Sequence, residues 1–196
     1  MLSAFLQKLL FVNQFGIDKG KISLLGDKLI MLHASAILEL QDIDETKLYE
    51  IAKKSSLNNL VNFVEHAKVY GKIKNVIIKE LIELGQKIGQ TDEGTIKTLE
   101  NLFNINGLGK MNINNLDNEK KEALITIIDS TIALEWLEKN KKESKNAACT
   151  LTAGVLAGMF SYIFGEDVDC VEISCKAKGD NICEFKIGGQ HSERFK

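Results

Sequence analysis

Excess charge, long apolar runs and cysteine are all scarce in this sequence, and each scarcity narrows what the protein can do. Lys and Arg number 25 against 27 Asp and Glu, which leaves a formal charge of −2 and a pI near 6.0. No block of like charge exceeds the stretch Lys139 to Lys142. Without a basic surface the chain cannot neutralise a phosphate backbone, so it is not expected to bind nucleic acid directly. No apolar stretch approaches the roughly 20 residues that a bilayer-crossing helix needs. The opening segment, Met1 to Val12, is apolar but carries neither the basic leader nor the small-residue cleavage site of a secretory signal. The expected location is therefore the cytoplasm, where thiols stay reduced. With only four cysteines among 196 residues, a cluster of them in that setting points to a metal and not to disulfides.

What is present reads as an ordinary globular chain. An apolar fraction of 44% suits one domain, divided into an N-terminal arm and hairpin (1–34), a helical part (35–105) and a mixed core (106–196). The hairpin runs Lys21 to Leu25 and Lys28 to Leu32 around a Gly26-Asp27 turn. Both arms are apolar, so it must lie on a helical layer or on a second copy of the chain. From Ser35 to Phe103 the apolar positions follow helical spacing: Leu48, Ile51, Ala52, Leu60, Val61 and Val64, then Val76, Ile77, Leu81, Leu84 and Ile88, then Ile96, Leu99 and Phe103. Ser35 and Asp44 suit N-caps, and Gly71 and Gly89 suit breaks.

After Gly107-Leu108-Gly109 the period changes to that of strands. Met111 and Ile113 alternate with polar residues, and Ala123 to Ile128 reads as a buried strand stopped by Asp129 and Ser130. A polar, Lys-rich segment follows around Trp136 to Asn146. Next comes a helix from Ala148 to Phe164, closed by Gly165; Gly154 and Gly158 share one side of it, which would let it pack closely on the sheet. The last strands, Val168 to Cys175 and Ile182 to Ile187, are joined by a tight turn at Lys178 to Asn181.

Three of the four cysteines and one acidic residue gather in this last quarter. Cys175 and Cys183 stand near each other across the antiparallel pair, Glu172 lies upstream on the same strand, and Cys149 begins the preceding helix, whose N-terminus favours a thiolate. Zinc suits three thiolates and a carboxylate, and with all four positions filled by protein the site is structural. His191 competes with Cys149 for the fourth position. Cys170 shares the face of Glu172; it is an alternative ligand, a wall of the space between sheet and helices, or plain core. Trp136 and Phe160 either share that space or are core.

The same stretch carries a resemblance. Cys149 followed by Gly154 and Gly158, then Glu172 three residues before Cys175, then Lys178-Gly179-Asp180, then Cys183-Glu184-Phe185, resembles the 4-vinyl reductase domain family, most strongly from Leu124 to Ile187. Its members include archaeal proteins described as hydrocarbon-binding, sensor domains of aromatic-responsive bacterial activators, and a protein of bacteriochlorophyll synthesis. The resemblance implies an α+β fold, an antiparallel sheet packed on helices, shared with heme nitric-oxide sensors and vesicle-tethering subunits. It also implies zinc held by Cys149, Glu172, Cys175 and Cys183, and a homodimer whose interface uses N-terminal elements. The function it implies is binding or sensing of a hydrophobic or aromatic small molecule, reported through a protein partner. An interaction module like the tethering subunits is the alternative, and an accessory role in tetrapyrrole vinyl reduction stands third. No catalytic residue is named, because no dinucleotide fingerprint or flavin motif is present and Gly107-Leu108-Gly109 is too short for a nucleotide loop.

Overall fold

The structure, a computed structural model, describes residues 15–24, 27–70 and 93–189. Its first elements are three short strands, β1 (Phe15–Asp18), β2 (Lys21–Leu24) and β3 (Asp27–Leu29), joined as an antiparallel meander. Lys19 and Gly20 both take positive φ, 48° and 76°, the backbone of a two-residue hairpin turn matched to strand twist. Leu24 pairs with Asp27, so the second turn falls at positions 25 and 26, outside the described residues. The expected Gly26-Asp27 turn is thus one residue late, and β3 ends at Leu29, short of Leu32. A shift of one matters because it exchanges the faces of a strand; here Ile22 pairs with Leu29, and Leu24 shares their face.

Helix α1 (Ala34–Ile43) is followed directly by α2 (Glu45–Tyr70). Asp44 serves both: its backbone N–H donates to the Leu40 carbonyl at 3.1 Å, and its Oδ1 accepts from the Lys47 N–H at 2.8 Å, the N-cap role expected of it. Ser35 does not cap; α1 already begins at Ala34, with His33 at the cap position and no side-chain bond there. Gly71, Gly89 and the stripe from Val76 to Ile88 lie outside the described residues. Helix α3 (Glu93–Asn104) is tied to the first strand of the larger sheet, because Asn104 Oδ1 accepts from the Met111 N–H at 2.8 Å and Glu100 Oε1 from the Ile113 N–H at 3.2 Å.

The main sheet is antiparallel with the order β4 (Lys110–Asp117), β5 (Glu122–Ile128), β7 (Cys183–Gly188), β6 (Asp169–Ser174). Ala123, Ile125 and Ile127 alternate along β5 and are buried, as a strand with one covered face requires. Between β5 and β6 run α4 (Thr131–Asn140) and α5 (Thr150–Phe164). The segment read as polar and Lys-rich is therefore helical through Asn140. Ser130 Oγ accepts from the Ala133 N–H at 3.4 Å, so the residue that stops the strand also starts a helix, and Lys141 closes it in the left-handed region.

Helix α5 is nearly all apolar and buried, and Gly165 ends it with φ 69° as expected. Its glycines do not face the sheet. A Cβ on Gly154 would lie 2.6 Å from the Tyr49 carbonyl oxygen, and one on Gly158 would lie 2.2 Å from that of Lys53. Both positions are where α5 crosses α2, and they bring the two backbones into contact. Polar ties hold the crossing: Ser56 Oγ donates to the Val155 carbonyl at 2.9 Å, and Lys53 Nζ lies 2.8 Å from both Asp167 and Asp169. The opposite side of α5, with Leu156 and Phe160, is fully buried in the core shared with β5 and β7.

Candidate metal centre

Each ligand of the expected site is placed by the end of an element. Cys149 is the N-cap of α5. Glu172 sits on β6 just before a bulge, where the ladder to β7 skips from Glu172 to Ser174 and the strand end bends. Cys175 opens a short 3-10 turn, Lys176–Lys178, and Cys183 is the first residue of β7. The two thiols are not partners across the ladder, since Cys183 pairs with Ile127 of β5. They meet because Asp180 folds the loop back: its Oδ2 accepts from the Cys175 N–H at 2.8 Å, while Gly179, at φ 95°, makes the reversal that a side chain would resist.

The ligand atoms of Cys149, Glu172, Cys175 and Cys183 all lie within 4.8 Å of one another. Two thiolates each ~2.3 Å from a tetrahedral zinc stand roughly 3.8 Å apart; Cys149 Sγ and Cys183 Sγ are 3.7 Å apart. Glu172 Oε2 accepts from the Cys149 N–H at 2.9 Å, whereas its Oε1 is buried with no hydrogen-bond partner, a position that a cation would satisfy. Backbone donors support the sulfurs: Ala148 N–H to Cys175 Sγ at 3.4 Å and Lys176 N–H to Cys183 Sγ at 3.3 Å. The Ser130 hydroxyl lies 3.3 Å from Cys149 Sγ. The donor set fits zinc. Ser130 and Asp180 were not singled out from the sequence as part of the site, although Asp180 belongs to the Lys178-Gly179-Asp180 turn.

Four acids packed this closely cannot all ionise out of water without a cation. Hydrogen bonds from Cys149 and Cys183 hold the Cys175 thiol far below the usual range, so the charge collects there. Cys149, bonded to Cys175 and Cys183 and buried, is pushed well up. For Cys183 the bond to Cys149 pulls down, but the bond to Cys175 and burial outweigh it and push the thiol up to about 12. Burial first, and then the charge on Cys175, lifts the Glu172 carboxyl to about 8. Without a cation the cluster therefore holds about one negative charge near neutral pH, and a divalent cation would let all four groups ionise.

The four ligands fall in one segment of sequence with a known pattern. Residues 137–189 match the vinyl-4-reductase domain. Over 98% of this chain and 94% of the other, the fold is similar to the phenol-responsive sensory domain of the transcription activator PoxR with phenol, at a TM-score of 0.65 and 17% identity. Looser likenesses are a trafficking protein particle complex subunit 3 from Naegleria fowleri covalently bound to palmitic acid (TM-score 0.46, 12% identity, 82% of this chain and 84% of that one) and a vinyl-4-reductase family protein from Methanocaldococcus jannaschii (0.45, 16%, 81% and 77%). Among curated proteins none matches the sequence.

Beside the matched segment lies a cavity of about 370 Å³. It opens on the flank of the α2–α5 crossing, between Leu151, Val155 and Met159 of α5, the α2 face from Ile51 to Leu60, the end of α3, and Leu24 and Leu29 of the meander. Cys170, Trp136 and Phe160, expected between sheet and helices, do not line it. Cys170 and Phe160 are fully buried, Phe160 lies against Phe164 with ring centroids 5.7 Å apart, and half-buried Trp136 packs on the core from α4. The reason is the close fit of α5 onto the sheet, which fills the space in which the three were placed. Cys170 also stands outside the group of metal-ligating atoms, and His191 lies outside the described residues. No helix among the described residues is long and apolar enough to cross a membrane.

Proposed function

We propose that this protein is a zinc-clasped sensor of a hydrophobic or aromatic small molecule, without catalytic activity, that reports through a protein partner in the cytoplasm. Zinc, when bound, supplies the two positive charges that hold three thiolates and a carboxylate together. Cys149 would then fasten the start of α5 to Glu172, Cys175 and Cys183 at the ends of β6 and β7. The observation that carries the reading is this closed set: three of its four members are buried and protein fills all four positions, which is the arrangement of a structural and not a catalytic zinc. The likeness of fold to a phenol-responsive sensory domain along 98% of the chain supports binding of a small molecule, and the cavity beside α2 and α5 gives it a place. Homodimerisation is part of the proposal. Ile30 and Met31 are 79% and 83% exposed, and Leu32 follows them, an apolar run that a second copy would cover.

Metal analysis and native mass spectrometry of the purified protein test both halves. About one zinc per chain is expected, falling sharply in Cys175→Ser and Cys183→Ser together with thermal stability. Full metal and full stability in both variants would remove the zinc. Failure to find any apolar small molecule, co-purified or added, would remove the sensor.

A further inference from the structure

The lining of the cavity has a chemistry of its own. Of its fifteen residues, none is ionisable and none is aromatic. Leu60, Leu102, Leu108, Val155 and Met159 form an aliphatic inner wall, with Leu24 and Leu29 of the meander completing it. The polar groups are few and mostly committed. Ser56 donates its hydroxyl to the Val155 carbonyl, and the Asn106 amide N–H groups bond Leu102 and Phe103 carbonyls. Ser55 and Asn59, one turn apart on α2 and exposed, are left at the rim.

Resting on the reading of the protein as a small-molecule binder, we infer that this cavity takes a neutral aliphatic amphiphile, such as a medium-chain alcohol or ketone, and that the bound molecule joins the meander to the helices. A charged end would be buried without a counter-charge, which the wall cannot offer. An aromatic ring would find no ring to stack on. A chain of roughly a dozen water-sized groups fills the volume at ~30 Å³ each, and its hydroxyl or carbonyl meets Ser55 and Asn59 at the mouth. The meander's main contacts are within itself, and a small sheet with one apolar face is marginal alone. A ligand against Leu24 and Leu29 supplies the missing cover, so occupancy is converted into order in residues 15–29.

The test uses the full chain with n-decanol, decanoate and phenol, followed by calorimetry, native mass spectrometry and amide hydrogen exchange. Decanol binds at one per chain, decanoate at pH 8 at least ~10-fold more weakly, and Val155→Phe, which fills the inner wall, weakens decanol at least ~10-fold. Leu29→Ser, on the meander and outside the core, weakens it too and decides the matter if Val155→Phe does not fold. Amides of β1, β2 and β3 gain protection with decanol. Saturable phenol binding that both variants leave unchanged, with no decanol binding, overturns this inference while the sensor reading stands. If neither molecule binds and none co-purifies, both fall. Decanol binding without protection of the meander overturns the joint.

Discussion

Gly158→Ala is the smallest change that tests the packing of α5 on α2. The added Cβ would lie 2.2 Å from the Lys53 carbonyl oxygen, 2.9 Å from the Leu57 nitrogen and 2.9 Å from Ser56 Cβ. Close carbon–oxygen contacts stop at about 3.3 Å, so the two helices must part by roughly 1 Å at the crossing. The obstructing atoms are mostly backbone inside a helix and cannot turn aside as a side-chain tip would. A radial gap of that size forfeits a quarter to a half of the dispersion energy of the contacts it opens, and overpacking of this kind costs about 1–3 kcal/mol, sometimes more. Alanine returns about 1 kcal/mol through helix propensity. With backbone obstructing on two sides the upper end applies, giving a net loss of about 2–3 kcal/mol, or roughly 5–10 °C in Tm for a chain of this size. Urea titration read by circular dichroism should show a lower midpoint at unchanged slope. A variant as stable as the wild type, or more stable by the propensity gain, would refute the close approach of α5 and α2.

Three further outcomes are expected of the site and its surroundings. Asp180→Ala removes the acceptor for the Cys175 N–H and should weaken metal binding by about 10–100-fold, seen in competition with a chromophoric chelator; unchanged affinity would mean the loop holds Cys175 without it. Metal loading at pH 7 should release about three protons, because Cys149, Cys183 and Glu172 are all raised; calorimetry in buffers of different ionisation enthalpy counts them, affinity should fall as pH drops, and release near zero would contradict the protonated cluster. Burial pulls the Lys53 ammonium down, but Asp167 and Asp169 outweigh it and hold it above 10.5. Its contribution is therefore fully present below that pH and lost as pH rises through the folded value, so Lys53→Met should cost about 1–3 kcal/mol at neutral pH and progressively less in alkali, measured by urea unfolding across pH.

The metal ligands were legible because chemistry and order coincide: Glu172, Cys175 and Cys183 sit within one hairpin's length, and few other thiols compete. Their exact meeting was not legible, since it depends on the bulge after Glu172 and on Asp180 turning the loop, neither of which alters the pattern of residue types. The stripe of Gly154 and Gly158 announced a close approach without saying to what, because α2 is about a hundred positions away in sequence. Helix α4 was hidden by Ser130, which ends a strand and caps a helix with the same side chain, and by lysines spread around Trp136. The cavity left no trace at all. Its wall is assembled from four separated stretches, each of which reads as ordinary core, whereas the aromatic and thiol side chains that suggested a pocket are the ones that fill the space between α5 and the sheet.

The strand order has a consequence for how the molecule comes into being. β7 is inserted between β5 and β6, so neither neighbour has its inner edge covered until Cys183 to Gly188 has been synthesised. During translation β4 and β5 can pair early as a local hairpin, but β6 must wait, edge exposed, for a strand made after it. Cys183 arrives on that same late strand. The cation can thus be captured only once the sheet is about to close, and metal supply would act on the final step of folding and not on its start.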